Sequence, residues 1–314
     1  MSKFIIHGGK KLKGEVKISG SKNAALPIIA ATVLIKGRTT LYNVPNIQDV
    51  QTMFEIIKDI GGKVTKKNNK VIIDTSKVHT YEIPEELMRK MRSSVILAGA
   101  IIGKYHKANF SYPGGCDIGA RPIDLHLKGF EKLGIEIKEE YGEIVCSSEE
   151  IVGTQINLDF PSVGATENII LASCLAEGTT ILMNSAKEPE IEDLVNFLNK
   201  AGAKIKGAGT DRIEIIGVRK LSEISYNIMP DRIEAGTYLV AGAITGGNIK
   251  ITNANPRHIE PILNKLEETS CKIITQNNEI EIIAPRRLKA VDIKTMPYPG
   301  FPTDLQSIFT ALLT

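Results

Sequence analysis

The stretch of this 314-residue chain best suited to chemistry runs Tyr112-Pro-Gly-Gly-Cys-Asp-Ile-Gly-Ala-Arg-Pro-Ile-Asp-Leu-His126. Three glycines within six residues open backbone conformations closed to other residues, so the chain can wrap tightly around a ligand. Arg121 and Pro122 then read as the start of a helix, with proline suited to its first turn. Cys116 therefore stands on a loop beside a cation and near helix amides. Such surroundings draw a thiol below its ordinary pKa of about 8.5 and make it reactive. Cys146, Cys174 and Cys271 fall in strand or helix patterns and read as inert packing residues.

Other segments offer places for anions. In Ser19-Gly-Ser-Lys-Asn-Ala-Ala25, either serine can cap a helix whose first amides lack partners, and Lys22 adds a charge suited to phosphate or carboxylate. The alternative there is a plain helix cap with a surface lysine. Ser162-Val-Gly-Ala-Thr166 opens another helix in the same way, and Arg92 lies at the start of a third, where a surface arginine is the competing reading. Asp304 opens a later helix; it is either a first-turn acid or a general base, the latter needing a hydroxyl within hydrogen-bond reach. No GxxxxGK[ST] loop occurs.

The elements that must position these residues repeat along the chain. Gly37-Arg-Thr-Thr-Leu-Tyr-Asn43 with Gly61-Gly-Lys-Val64 matches Gly178-Thr-Thr-Ile-Leu-Met-Asn184 with Gly202-Ala-Lys-Ile205. A third copy runs from Gly246 through Asn253 to Cys271-Lys-Ile273, and all three span 27 positions. A fourth, from Phe110 to Ile137, has the altered Cys116 loop. Alternation at Ile249 and Ile251 predicts a strand, and Ile47, Val50, Met53, Phe54, Ile57 and Ile60 predict an amphipathic helix. Each unit of about 70 residues thus reads strand, loop, helix, strand. A more apolar helix precedes each: 22–36, 87–102, 164–177 and 233–245. Those helices should be buried between sheets, with the amphipathic ones outside. A fifth copy begins at Thr303 and reaches only its first helix by Thr314.

Composition narrows the function. With 39 Lys+Arg against 36 Asp+Glu and 5% aromatics, no concentrated basic stripe with stacking rings is present, which argues against nucleic acid. The scattered histidines (7, 79, 106, 126, 258) and cysteines carry no compact metal spacing. No apolar run of about 18 residues spans a bilayer and no signal-peptide core opens the chain, so the expected address is cytoplasmic, away from membranes.

Together, SGSKNAALP (19–27), PGGCDIGARPIDLH (113–126), SVGATENI (162–169), EPEIEDLVNFL (188–198), PDRIEAGT (230–237) and FPTDLQ (301–306) resemble the UDP-N-acetylglucosamine 1-carboxyvinyltransferase family of enolpyruvyl transferases. The resemblance implies an α/β fold of two inside-out, barrel-like domains built from repeated strand-helix units. The first would span 21–229; the second would combine 1–20 with 230–314 and be incomplete, with further phosphoenolpyruvate-binding arginines beyond it. It implies attack by the 3-hydroxyl of UDP-N-acetylglucosamine on phosphoenolpyruvate, with loss of phosphate, in a monomer with no cofactor. Carried onto this chain, Lys22 and Arg121 bind phosphoenolpyruvate, Asn23 contacts the reacting sugar and Cys116 is the general acid. Asp304 takes the hydroxyl proton and Arg92 helps hold the substrates. Arg121, Pro122, Ile123, Asp124 and Leu125, with Ser162, Val163 and Gly164, hold the UDP part. Phe160 departs from the basic residue that some relatives carry. A sister enzyme acting on shikimate 3-phosphate and a non-catalytic UDP-sugar binder are the alternatives.

Overall fold

The computed structural model describes residues 3–114 and 123–314, so Cys116, Arg121 and Pro122 lie outside the described residues. The chain divides into two compact units, one of Met1–Ser19 with Pro230–Thr314 and the other of Gly20–Met229.

The first repeat has an opening strand β1 (Lys13–Lys17) upstream, then α1 (Lys22–Ala31), β2 (Arg38–Tyr42), α2 (Gln48–Asp59), β3 (Lys63–Lys67) and β4 (Lys70–Asp74). The second has α3 (Glu85–Lys90), α4 (Ile96–Tyr105), β5 (Lys107–Ser111), α5 (Asp124–Lys132), β6 (Glu136–Glu140) and β7 (Glu143–Ser147). The third runs through β8 (Gln155–Asn157), α6 (Val163–Ser173), β9 (Thr179–Met183), α7 (Pro189–Lys200), β10 (Lys204–Lys206), β11 (Arg212–Ile216) and β12 (Ile224–Asn227). The fourth has α8 (Arg232–Ile244), β13 (Asn248–Thr252), α9 (Glu260–Glu268), β14 (Lys272–Gln276) and β15 (Glu279–Ile283), and α10 (Gln306–Leu313) follows.

In the larger unit, sheets β12-β2-β4-β3, β5-β7-β6 and β10-β11-β9-β8 surround α1, α4 and α6, which are buried on nearly every side. Helices α2 and α7 show the expected single buried stripe. This layering puts the apolar helices at the centre, where Ile28, Ile29, Leu97, Ile101, Ile170 and Leu171 share one core. The smaller unit has its own core around Ile18, Leu239, Ile251, Ile280 and Phe309, beneath the sheet β1-β13-β15-β14.

The asparagines that end the repeated strands explain part of the sequence pattern. Asn43, Asn184 and Asn253 all take a left-handed backbone (φ 56°, 56° and 55°), which asparagine tolerates better than most residues. Each side-chain amide donates to a carbonyl just past the parallel neighbouring strand: Ile228 at 2.9 Å, Leu158 at 2.8 Å and Ile18 at 2.8 Å. Residue types at these positions thus end one strand and tie it to the next.

Several expectations need correction. The strand after each amphipathic helix is the first arm of an antiparallel hairpin, so every unit carries one more strand than the pattern suggested. The helix expected over 87–102 is broken. Met91 is extended (φ −150°, ψ 130°) and Arg92–Val95 forms one 3-10 turn before α4. The Ser94 hydroxyl causes the break to hold, because it donates to the carbonyls of Met88 (2.9 Å) and Met91 (2.6 Å) that a continuous helix would use. Gly103 does not end α4, which runs on to Tyr105; a Cβ on Gly103 would meet the Leu171 carbonyl oxygen at 2.8 Å, so its role is close approach to α6. Helix α5 begins at Asp124, after the expected Arg121–Pro122 start.

Candidate functional site

Lys22 and Asn23 open α1, where the buried Ser21 hydroxyl accepts the Ala24 N–H; Lys22 is exposed and Asn23 half-buried. Lys22 Nζ lies 3.7 Å from the Asp49 carboxylate of α2. Both groups are largely exposed, so this pair is worth little in stability and leaves the cation exchangeable for a ligand anion. Ser162 caps α6 in the same way, its hydroxyl accepting from Ala165 N–H. Val163 and Gly164 follow at the half-buried N-terminus of that helix.

Three segments with candidate residues meet behind this turn. Asn168, on the buried face of α6, accepts the Gly99 N–H through Oδ1 at 2.7 Å and donates through Nδ2 to the Val95 carbonyl at 3.0 Å. The side-chain amide thus stands inside the first turn of α4, in place of the bond that Gly99 N–H and Val95 C=O would make with each other. Glycine is required at 99 because a Cβ there would meet the Asn168 carbonyl oxygen at 2.4 Å. Asn168 Nδ2 also lies 2.7 Å from His126 Nδ1 on α5. The junction therefore joins the turn of Arg92, the start of α5 with Ile123, Asp124 and Leu125, and the Ser162–Gly164 turn.

The junction's electrostatics follow from burial. Desolvation, with the Arg92 guanidinium nearby, draws the His126 pKa down to about 4 against a small opposing pull from Asp124. One residue before Asn168, the Glu167 carboxyl is buried, and desolvation together with Glu190 and Glu188 of the α7 start holds its pKa well above the ordinary value. Burial likewise pushes the Cys146 and Cys174 thiols up to about 12 and raises that of Cys271, so these three stay protonated. Among the described residues, no cluster of His, Cys, Asp and Glu could hold a metal ion.

Gly114 fixes the near end of the Cys116 loop. Its N–H donates to the Met88 carbonyl at 3.3 Å, one of the groups exposed by the helix break, and a Cβ would lie 2.2 Å from the Arg89 carbonyl oxygen. In the smaller unit, Asp304 is exposed on the one-turn 3-10 segment Thr303–Leu305 before α10. Phe160 is exposed, with its carbonyl accepting the Ser162 N–H at 2.7 Å.

Reading by motif missed His126, Asn168 and Gly99 as site-forming residues. The available signal was the polar pair Glu167-Asn168 set directly before the apolar run Ile169-Ile-Leu-Ala172 of a helix expected to be buried.

Comparison with known proteins agrees with this architecture. UDP-N-acetylglucosamine 1-carboxyvinyltransferase 2 of Caldanaerobacter subterraneus is 54% identical over 315 residues, covering all of this chain and 76% of that protein. UDP-N-acetylglucosamine 1-carboxyvinyltransferase of Geobacter metallireducens is 48% identical over 313 residues, covering all of this chain and 75% of that protein. Among solved structures, the enolpyruvyl transferase NikO from Streptomyces tendae superposes with a TM-score of 0.86 at 22% identity, over 98% of this chain and 74% of that one. EPSP synthase from Acinetobacter baumannii gives 0.70 at 19% identity, over 91% and 68%. These two show the two-domain fold. Among the described residues no helix is long and apolar enough to cross a membrane. The sequence model of EPSP synthase (3-phosphoshikimate 1-carboxyvinyltransferase) matches residues 6–314, and the chain therefore belongs to that family of enolpyruvyl transferases.

Proposed function

We propose that the protein transfers the enolpyruvyl group of phosphoenolpyruvate to the 3-hydroxyl of UDP-N-acetylglucosamine, releasing phosphate. The observation that carries this reading is 54% and 48% identity, over the whole chain, to two proteins of that name. The sister reaction on shikimate 3-phosphate has the name of the matching family model in its favour. It lacks the whole-chain identity.

The residues divide the work as follows. Lys22 and Arg121 hold the phosphoenolpyruvate anion, and Asn23 orients the sugar. Arg92 helps hold the substrates, and Arg121, Pro122, Ile123, Asp124 and Leu125 with the Ser162–Gly164 turn hold the nucleotide. The sugar oxygen bonds to C2 of phosphoenolpyruvate while Asp304 takes the hydroxyl proton and the Cys116 thiol protonates C3. Loss of a C3 proton and cleavage of the C2–O bond to phosphate then restore the double bond. Oriented cations and helix amides in a closed site stabilise the charge that builds during both steps. On this reading the enzyme acts in the cytoplasm as a monomer, at the first committed step of peptidoglycan synthesis.

The test is phosphate release from phosphoenolpyruvate with UDP-N-acetylglucosamine or with shikimate 3-phosphate. Release with the first alone is expected. Release only with the second gives the sister activity, and UDP-sugar binding without release in either case gives a non-catalytic binder. Fosfomycin, an epoxide resembling phosphoenolpyruvate, should alkylate Cys116, and peptide mass spectrometry finding the adduct elsewhere would remove that thiol from the mechanism.

A further inference from the structure

The amide of Asn168 has only one orientation available. A backbone N–H can only donate, so the atom facing Gly99 N–H is oxygen; a backbone carbonyl can only accept, so the atom facing the Val95 carbonyl is nitrogen. The second proton of that nitrogen points at His126 Nδ1, 2.7 Å away. Nδ1 must then accept, which makes the ring neutral with its proton on Nε2. His126 is 6% exposed, and Nε2 meets no hydrogen-bond partner among the described residues. That edge of the ring faces the N-terminus of α6: a Cβ built on Gly164 would stand 3.3 Å from Nε2 and 3.0 Å from Cε1. Nε2 is not among the fully buried unpaired atoms, so this donor opens onto the N-terminus of an eleven-residue helix, where a ligand with acceptor oxygens can meet both the ring and the first amides.

We propose that His126 is a binding residue whose Nε2–H donates to an acceptor oxygen of the nucleotide sugar at the Ser162–Gly164 turn, and that Asn168 is the positioning residue that sets its tautomer. The inference rests on the function proposed above for the identity of the ligand, but the tautomer follows from the geometry alone. It also gives Gly164 a reason: any side chain there would push the imidazole off its line. The charged groups acting on the ring among the described residues are Arg92, from the turn before α4, and Asp124, on its own helix.

Histidine replacements separate the ring's two edges. Asparagine at 126 keeps an acceptor near the Nδ1 position and removes the Nε2 donor; glutamine reaches nearer to Nε2 and gives up the Nδ1 acceptor. His126→Asn should raise KM for UDP-N-acetylglucosamine about tenfold with KM for phosphoenolpyruvate unchanged, the effect of one lost hydrogen bond to substrate. His126→Gln should recover part of that loss. A merely structural role predicts instead that both KM values and the melting temperature move together, and that result would overturn the assignment. Nitrogen-15 spectra of the histidine-labelled full chain supply the second measurement. The expected spectrum shows His126 as the Nε2–H tautomer, with its Nε2 signal moving when UDP is added; an Nδ1–H tautomer or an unmoved signal defeats the proposal. If the unmodified protein binds UDP with that signal change yet releases no phosphate with UDP-N-acetylglucosamine, the enzymatic reading fails and the His126 assignment stands.

Discussion

The second repeat and its three siblings solve the same problem differently. In the siblings, a left-handed asparagine ends the central strand and its amide closes onto the neighbouring strand. In the second repeat the residue after β5 is Tyr112, half exposed, whose hydroxyl donates to Glu139 at 2.7 Å. Its sheet has three strands, and the place of the parallel fourth is taken by a single bridge between Glu82 and Asn109. The preceding helix is broken, and its released Met88 carbonyl receives Gly114. The siblings close the strand end with their own side chain. The second repeat omits that closure and anchors Gly114, at the edge of the segment that holds Cys116, on a helix that had to break. Repetition supplies the scaffold, and the departure from it falls beside the segment proposed for the chemistry.

The sharpest way to break this contrast is Gly114→Ala. Its Cβ would overlap the Arg89 carbonyl, so the loop must shift, and misplacing a reacting group by about 1 Å costs on the order of 100-fold in rate. Phosphate release should fall at least that far while circular dichroism stays native; a rate within a factor of three of the parent would show that the loop does not need this anchor.

A second comparison sets His126 of the second repeat against Asp193 of the third. Asp193 accepts from Tyr226 Oη at 2.7 Å and Met229 N–H at 3.2 Å, yet burial still pushes its pKa up to about 6. Its pKa is raised in the folded state, so its contribution to stability is full below the unfolded value of 3.8 and is lost as pH rises through 6. His126 has the opposite sign: a pKa depressed from 6.5 to about 4 gives a contribution present above 6.5 and lost as pH falls through 4. Each is worth ~3 kcal/mol across its window, so the two nearly cancel between pH 4 and 6. Relative to the parent, urea unfolding at pH 4, 5 and 6 should therefore show His126→Gln losing stability more steeply as pH rises and Asp193→Asn losing it less steeply, with the raised Glu167 acting alike in all three. Parallel curves for the two variants would refute the opposition.

Removing the sibling device should cost less. Asn43→Ala, or Asn253→Ala, gives up a left-handed preference and a hydrogen bond to a partly buried carbonyl, about 2 kcal/mol together. Tyr112→Phe in the second repeat should change stability by under about 0.5 kcal/mol, as for other exposed contacts. Equal losses at Asn43 and Tyr112 in denaturant melts would erase the distinction. The smallest effect should be a gain. Ser270 (φ 77°) occupies the helix-ending place held by Gly61, Gly134 and Gly202 in the other repeats, and Ser270→Gly should raise stability by about 0.5–1 kcal/mol.

Much of the scaffold could be read from residue order because its devices are local. Helix-ending glycines and the serine caps at Ser21 and Ser162 act within a few residues of themselves, and the strand-ending asparagines show their left-handed turn locally although their amides reach carbonyls 26 to 235 positions away. The second arms of the hairpins, β4, β7, β11 and β15, escaped notice although buried and less buried residues alternate along them, because the repeated motif closes at the first arm. The break at Met91 escaped for another reason: apolar residues flank it on both sides with no proline between, and only the Ser94 hydroxyl and Gly114 reveal where the released carbonyls go. At the site, cap and loop motifs could be recognised, but the Asn168 junction could not. Its partners, Val95, Gly99 and His126, lie 42 to 73 positions away, a distance at which no spacing rule operates.

The return of β12 to pair with β2 has a consequence for the chain as a polymer. It brings the two ends of the larger unit side by side, where Ser21 N–H donates to the Met229 carbonyl at 2.8 Å; in the smaller unit Asp231 N–H donates to the Ser19 carbonyl at 2.9 Å. The larger unit is thus inserted into the smaller at a point where the host chain remains almost continuous, so the insertion adds little loop-closure entropy to the host. A pull applied to the ends of 20–229 would load the Ser21–Met229 contact and the β12–β2 ladder together with the start of α1, which Ser21 caps, while α4 and α6 lie further along the chain.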